Sequence, residues 1–231
     1  MGNRHSRTEI LFSQEAFDKI KKAAVAVIGV GGVGSAALEC LARSGVGTLV
    51  VVDCDVVEES NLNRQLISLT DNVGTSKVVA AAQRVRAIDP SIACTPVHAR
   101  YEGGFPEYLQ GVDYVIDAID DLHAKAELIS QCQKNGVKIY SSMGTALRFS
   151  PECIRVGDVF STAYDPMARV MRRLLREKGV EALQVVYSTE QPKKKEGEVL
   201  GSYSPVPVTA GCTLASLVLK DIASAQRGDE S

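Results

Sequence analysis

Val27-Ile28-Gly29-Val30-Gly31-Gly32-Val33-Gly34 runs directly into Ser35-Ala36-Ala37-Leu38-Glu39-Cys40-Leu41-Ala42. An apolar run that ends in glycines and opens into helical spacing predicts a strand, a tight turn and a helix, with free N–H groups at the helix start to meet an anion. Glycine leaves room for phosphate to approach the main chain. Val50-Val51-Val52-Asp53 then closes a second strand about 20 residues on, where a carboxylate accepts from ribose hydroxyls. Alone, this pattern fits a dinucleotide equally well.

The residues beyond Asp53 separate the readings. Asn61-Leu62-Asn63-Arg64-Gln65 and Lys77 place polar and cationic groups where a hydride-transfer enzyme has no need of them, and they suit a triphosphate. Arg64 forks onto phosphate oxygens, Lys77 neutralises charge on the oxygens that transfer, and Asn61 orients without adding charge. Asp120, in Asp117-Ala118-Ile119-Asp120-Asp121, falls at the carboxyl edge of a predicted strand, where open α/β sheets bind ligands and a carboxylate could hold magnesium. Asp121 is the better N-cap for the helix that follows.

Outward from this centre, strands and helices alternate. Phe12 to Lys21 reads as an amphipathic helix after a polar arm of residues 1–11. Strands are predicted over Ala24 to Val30, Leu49 to Asp53, Ile92 to Val97, Asp113 to Ile119 and Val137 to Ser142, and helices over Gly74 to Asp89 and His123 to Asn135. The alternation implies an α/β fold with a Rossmann-like, doubly wound, largely parallel sheet. After Met143-Gly144, short strands at Ile154 to Val156 and Gln184 to Ser188 flank a helix capped by Asp165 with Pro166 first. Residues 191–204 read as a mobile surface loop, Thr209 to Ala225 as an apolar closing helix, and residues 226–231 as a frayed tail. These C-terminal elements extend the same unit, so 1–231 is read as one domain.

Composition narrows the classes. With 231 residues, 45% of them hydrophobic, the chain supports one large core. A net charge of -2 excludes a bulk polycation, so a nucleic acid would have to meet a local patch. No secretory h-region opens the sequence and no apolar run is read as approaching a membrane span, which points to the cytoplasm. Cys40, Cys54, Cys94, Cys132, Cys153 and Cys212 form no C-x-x-C pair, so neither a zinc knuckle nor a disulfide framework is expected. His5, His98 and His123 are too dispersed for a metal site or a base and receive no role.

On the glycine turn, the Asn61-to-Gln65 run, Lys77 and Asp120, the chain resembles the adenylating superfamily of the ubiquitin-activating and molybdopterin- or thiamine-synthesis activating enzymes. Within it, the arm Ser6 to Leu11, Asp117 to Asp120, Ser141-Ser142-Met143-Gly144, Asp165-Pro166 and Val186-Tyr187-Ser188-Thr189-Glu190 are similar to the tRNA threonylcarbamoyladenosine dehydratases. The resemblance implies that Gly29, Gly31, Gly32 and Gly34 line an ATP site and that Asp53 takes the ribose. It implies that Asn61, Arg64, Gln65 and Lys77 face the phosphates and that Asp120 sits with magnesium and the departing pyrophosphate. Arg7 would reach the phosphates of the neighbouring subunit in a homodimer, completing a catalytic set of Arg64, Lys77, Asp120 and Arg7. The implied reaction adenylates the threonyl carboxylate of the modified adenosine, and an atom of the same side chain then closes a ring and expels AMP. A monovalent cation or substrate contact at Ser188-Thr189-Glu190, and a sulfur-relay or cysteine desulfurase-type partner, rest on the resemblance alone.

Two alternatives stay open: activation of the C-terminal glycine of a ubiquitin-like sulfur carrier, and a non-catalytic nucleotide-binding partner. Gly144-Thr145-Ala146-Leu147-Arg148-Phe149-Ser150-Pro151 departs from the Gly-Ala-x-Asn-Lys-x-Asp-Pro expected of the dehydratase branch, which puts its substrate contacts in question. Arg169, Arg172, Arg173 and Arg176 share one helix with Lys178 close behind, and Lys193-Lys194-Lys195 follow. They form a candidate grip on tRNA phosphates, weighed against an ordinary solvated helix face. Cys212 falls at a predicted helix start, where the dipole would lower its pKa, against the plainer reading of a small buried residue.

Overall fold

Alternation with a period of two builds the sheet. In β1 (Ala24–Ile28), Val25 and Val27 join one apolar cluster while Ala26 and Ile28 join the other, and β2 (Thr48–Asp53) repeats this with Leu49 and Val51 against Val50 and Val52. Both faces of the strands are therefore covered. The computed structural model, which describes residues 3–195, 197 and 199–225, adds β3 (Ala93–His98), β4 (Tyr114–Asp117), β5 (Lys138–Ser142), β6 (Ile154–Asp158) and β7 (Gln184–Ser188). The seven strands run in the order β3-β2-β1-β4-β5-β7-β6 and are parallel except for β6, which pairs antiparallel with β7. This is the predicted doubly wound sheet, extended by the C-terminal strands.

Helix α1 (Ser6–Phe12) precedes α2 (Gln14–Lys22), which packs on one face of the sheet with α3 (Gly32–Arg43), α4 (Lys77–Ile88) and α7 (Pro205–Ser224). The other face is covered by α5 (Leu122–Lys134) and α6 (Pro166–Glu177). Asp165 caps α6 by accepting from Ala168 N at 3.0 Å, with Pro166 first in the helix, as predicted. No regular secondary structure occurs among the described residues of 191–203, and the predicted tail at 226–231 lies outside the described residues.

Most strand and helix ends fall within two residues of the sequence reading, and three boundaries differ more. The arm is not irregular: Ser6–Phe12 is helical, and Ser13 (φ 70°) breaks the chain before its Oγ caps α2 by accepting from Ala16 N at 3.4 Å. His5 anchors this segment, since its Nε2 lies 2.8 Å from an Asp89 oxygen and its Nδ1 3.2 Å from the Arg43 carbonyl. Burial opposes ionisation of Asp89, yet hydrogen bonds from His5 and Ser91 hold its carboxyl down at about 2. The histidine that sequence reasoning left without a role ties the N-terminus to the core. Next, α7 begins at Pro205 rather than Thr209, and by length and composition it is long enough to cross a membrane, contrary to the expectation that no run approaches that length. Here it lies against α3, burying Ala210, Leu214, Ala215 and Val218. Finally, α4 starts at Lys77 because Gly74 (φ 87°) turns the chain before it.

The junction of β1 and α3 is closed by glycine. Gly29 adopts φ 85°, and a Cβ on Gly34 would stand 1.8 Å from the Gly29 carbonyl oxygen. Gly34→Ala is therefore expected to destabilise by about 3 kcal/mol or more, roughly 6–12 °C in thermal midpoint. At Gly31 the nearest atom to an added Cβ is Gln65 Nε2 at 3.9 Å, so Gly31→Ala is expected to melt within about 3 °C of wild type by scanning fluorimetry. Equal midpoints for the two variants would refute this account of the turn.

Candidate active site

Strand order reverses between β1 and β4, and a cleft of about 1190 Å3 opens above their carboxyl ends. Gly29, Gly31 and Gly32 line it where α3 begins, so the unpaired N–H groups of that first turn lie at its floor. Gly34, expected in the lining, lies behind it: its missing Cβ serves the contact with Gly29. On the adjacent wall, Asp53 accepts from Val30 N at 2.8 Å through one oxygen and from Asp55 N at 2.9 Å through the other. The backbone thus fixes the direction of this carboxylate.

Asn61, Arg64 and Gln65 line the next wall, and Leu66 N pins their segment to α3 by donating to Ser35 Oγ at 3.0 Å. Arg64 donates through Nη1 to the Ser60 carbonyl and to Asn63 Oδ1, both at 2.9 Å. Its remaining N–H groups stay available to an anion. Asn61 holds the turn more than it offers itself, because its buried Oδ1 accepts from Glu58 N at 3.1 Å. Lys77, first in α4, sits 2.8 Å from Asp55, and that hydrogen bond pulls the Asp55 carboxyl below its usual range. Asp55 was not singled out in the sequence. Nor was Arg100, a cation just beyond β3 that also lines the cleft, although its place after a strand's carboxyl end was a usable signal.

The three acids after β4 divide their roles. Asp121 caps α5, accepting from His123 N and Ala124 N at 2.9 Å each. Asp120 is exposed in the cleft, and its carboxylate accepts no hydrogen bond from the described residues. Asp117 is fully buried and pairs at 2.7 Å with an equally buried Lys125, whose Nζ also donates to the Ser142 carbonyl at 3.0 Å, while Ser141 Oγ donates to Asp117 at 2.5 Å. This network joins the ends of β4 and β5.

Beyond the nucleotide half, the cleft continues along Gly144 to Arg148, Asp165, Met167 and Leu200. Arg148 is buried: it pairs with Asp165 at 3.1 Å, donates through Nε to the Glu190 carbonyl at 3.2 Å and through Nη1 to the Gly144 carbonyl. Glu190 in turn accepts from Phe149 N at 3.0 Å and Ser150 N at 2.8 Å. Ser188 Oγ accepts from Glu190 N at 3.1 Å, and Thr189 Oγ1 donates to the Cys153 carbonyl at 3.2 Å. Ser188-Thr189-Glu190 thus braces the loop around Phe149 to Cys153.

Other candidates lie elsewhere. Arg7 is exposed on α1 and does not line the cleft of its own chain. Within the basic patch, Arg172 is a fold residue, donating to Thr162 Oγ1 at 2.7 Å and the Thr162 carbonyl at 3.1 Å. Arg173 pairs with Glu177 at 3.1 Å, Arg176 stacks 5.1 Å from the Phe160 ring, and Arg169 is exposed. The patch is narrower than the sequence suggests. Cys54 lines the cleft, but burial and the neighbouring Asp55 push its thiol up. Cys212 lies inside α7 rather than at its start and outside the cleft lining, and a hydrogen bond from Cys40, Sγ to Sγ 3.5 Å, rather than a helix dipole, brings its thiol to about 7.

A doubly wound sheet with a glycine turn, a backbone-held carboxylate and cations bordering one crevice defines the class of a nucleotide-binding α/β protein. The ThiF family model matches residues 4–230, and the chain belongs to that family. It is 40% identical to the tRNA threonylcarbamoyladenosine dehydratase of Bacillus subtilis (strain 168) over 195 residues, 83% of this chain and 77% of that protein. Two solved structures of E. coli tRNA N6-threonylcarbamoyladenosine dehydratase, TcdA, in complex with ATP and with AMP, superpose at TM-scores of 0.88 and 0.89. Each is 33% identical, with 95% of this chain and 93% of the other covered.

Lys125→Met leaves a buried carboxylate unpaired and is expected to cost about 3–5 kcal/mol, whereas Asp117→Leu with Lys125→Met removes both charges and restores much of the loss. Denaturant unfolding of the three proteins decides: a double variant no more stable than Lys125→Met alone would show that the pair is not the source.

Proposed function

We infer that the protein catalyses ATP-dependent cyclisation of threonylcarbamoyladenosine in tRNA, a net loss of water. The observation that carries this is the convergence of the Gly29–Gly32 floor, Asp53, Arg64, Lys77 and an unpartnered Asp120 on one cleft that continues past the nucleotide half. A threonyl carboxylate oxygen attacks the α-phosphorus of ATP and pyrophosphate departs, giving an acyl adenylate. An atom of the same side chain then attacks the acyl carbon, loses its proton, and AMP leaves with the former carboxylate oxygen. Charge grows on phosphate oxygens in the first step, and Arg64 and Lys77 oppose it from fixed positions. Lys77 exchanges its bond to Asp55 for one to phosphate.

Asp120 suits magnesium, because a free carboxylate beside a polyphosphate is the usual protein share of such a site. The ion would supply neutralisation of the departing pyrophosphate. We assign Arg7 to the partner subunit's cleft in a homodimer: it shares α1 with Ile10 and Leu11, 83% and 79% exposed, an apolar pair that a second copy would cover. The reaction belongs in the cytoplasm, where tRNA and ATP meet.

Lys77→Ala and Asp120→Ala are each expected to lose roughly 10²- to 10³-fold in turnover, and Asp120→Ala should do so with little change in stability because Asp120 is solvent-exposed. Mass analysis of the tRNA nucleosides should show a product lighter by one water with wild type only. Pyrophosphate exchange driven by a ubiquitin-like carrier and not by modified tRNA would overturn the assignment, as would full turnover in either variant.

A further inference from the structure

The mouth of the cleft carries aromatic rings that the core does not use. Phe149 is 54% exposed, Tyr203 38% and Tyr164 61%. The Phe149 and Tyr203 rings lie 5.8 Å apart at 38°, the Tyr203 hydroxyl donates to the Phe149 carbonyl, and Lys193 Nζ rests 4.2 Å from the Phe149 ring centroid. The backbone holds this group at the rim: Leu147 N donates to the Gly201 carbonyl and Lys193 N to the Leu147 carbonyl, both at 2.9 Å, while Asn63 Nδ2 donates to the Ser202 carbonyl at 2.9 Å. Leu147, Leu200 and Ser202 line the cleft itself, so Phe149 and Tyr203 stand just outside it. Leu147 and Tyr164 both take φ 61°, a conformation costly for non-glycine residues and kept where surrounding contacts enforce it.

We propose that Phe149, Tyr203 and Lys193 form a stacking platform for an unpaired nucleobase next to the nucleoside that enters the cleft. The proposal rests on the tRNA reading above and names how the RNA is gripped. Bringing one nucleoside of a loop into a cleft unstacks its neighbour, and an exposed ring paired with a cation is the surface that replaces the lost stack. Bulk charge is not the attraction, because Glu196 and Glu198 follow Lys193-Lys194-Lys195 in the sequence and offset part of it. An apolar peptide would not call for an ammonium on the ring face.

Fluorescence anisotropy with two RNA probes tests it: a hairpin with an unpaired purine loop, and the blunt duplex of the same stem. Wild type should prefer the hairpin by about tenfold, and Phe149→Ala should weaken hairpin binding by roughly 5- to 100-fold without changing duplex binding or its salt slope. Phe149→Tyr should keep the affinity, and Phe149→Leu, which keeps apolar bulk without a stacking face, should lose it. Tyr203→Ala provides an independent second loss. Hairpin affinities within twofold of wild type in Phe149→Ala and Phe149→Leu overturn the platform, as does an equal loss on the duplex. If modified tRNA is not turned over but hairpin preference still depends on the ring, the proposed function falls and the platform stands. Turnover with ring-independent binding does the opposite, removing the platform and keeping the function.

Discussion

A charge pair with no access to water lies beneath both halves of the cleft. Asp117 and Lys125 meet at 2.7 Å with their side chains wholly buried, and desolvating two such ions costs several kcal/mol each. Attraction alone does not offset that reliably, but here Ser141 Oγ, the Ser142 carbonyl and Ile119 N complete the hydrogen bonding. The pair is therefore better understood as a positioning device than as a source of stability. Asp117 ends β4 just ahead of Asp120, and Ser142 ends β5 just ahead of Met143 and Gly144. Fixing these strand ends to each other sets the distance between the Asp120 and Gly144 sides of the cleft.

Around that fixed point, side chains of one chemical type are separated by what already occupies them. Asp121 is taken by two N–H groups of α5, Asp53 by the backbone of Val30 and Asp55, and Asp165 by Arg148 and the start of α6. Asp120 has none of these partners among the described residues. Free lone pairs set it apart from the other acids around the cleft. The cations sort similarly: Arg148 is buried in carbonyls and a carboxylate and belongs to the loop, while Arg64, Lys77 and Arg100 border the open cleft.

Residues that act within one short stretch were legible in the sequence. The glycine turn could be read because strand, turn and helix start are local, and the shared cleft position of Asp53, Asn61, Arg64, Lys77 and Asp120 could be read because Asp53 and Asp120 lie at predicted strand ends, Lys77 near a predicted helix start, and Asn61 and Arg64 in one polar run. The central strands β1, β2 and β4 could be read from apolar runs, which reflect burial on both faces. What escaped depends on partners far apart in the chain. His5 finds Asp89 and Arg148 finds Glu190, and neither pairing has a spacing to detect; Lys125 in α5 finds Asp117 at the end of β4, and Arg172 finds Thr162, through the tertiary fold. The sequence reading also underestimated α7, which starts at Pro205 rather than Thr209 and packs its apolar length against α3 and the sheet.

The cysteines bear on how the second chemical step proceeds. A thiol relay needs a thiolate facing the acyl carbon, and Cys54, the one cysteine among the described residues that lines the cleft, is driven toward the protonated form by burial and Asp55. Cys212 ionises far more easily, but it lies in α7, bonded to Cys40 and away from the cleft lining. Ionisation and location thus fall on different residues. An intramolecular nucleophile removes the need for either, because an attacking atom already tethered to the acyl group reacts with a large effective concentration. What remains for the far half of the cleft is to hold the nucleoside still and keep water out, and that is work for a braced loop such as Gly144 to Pro151.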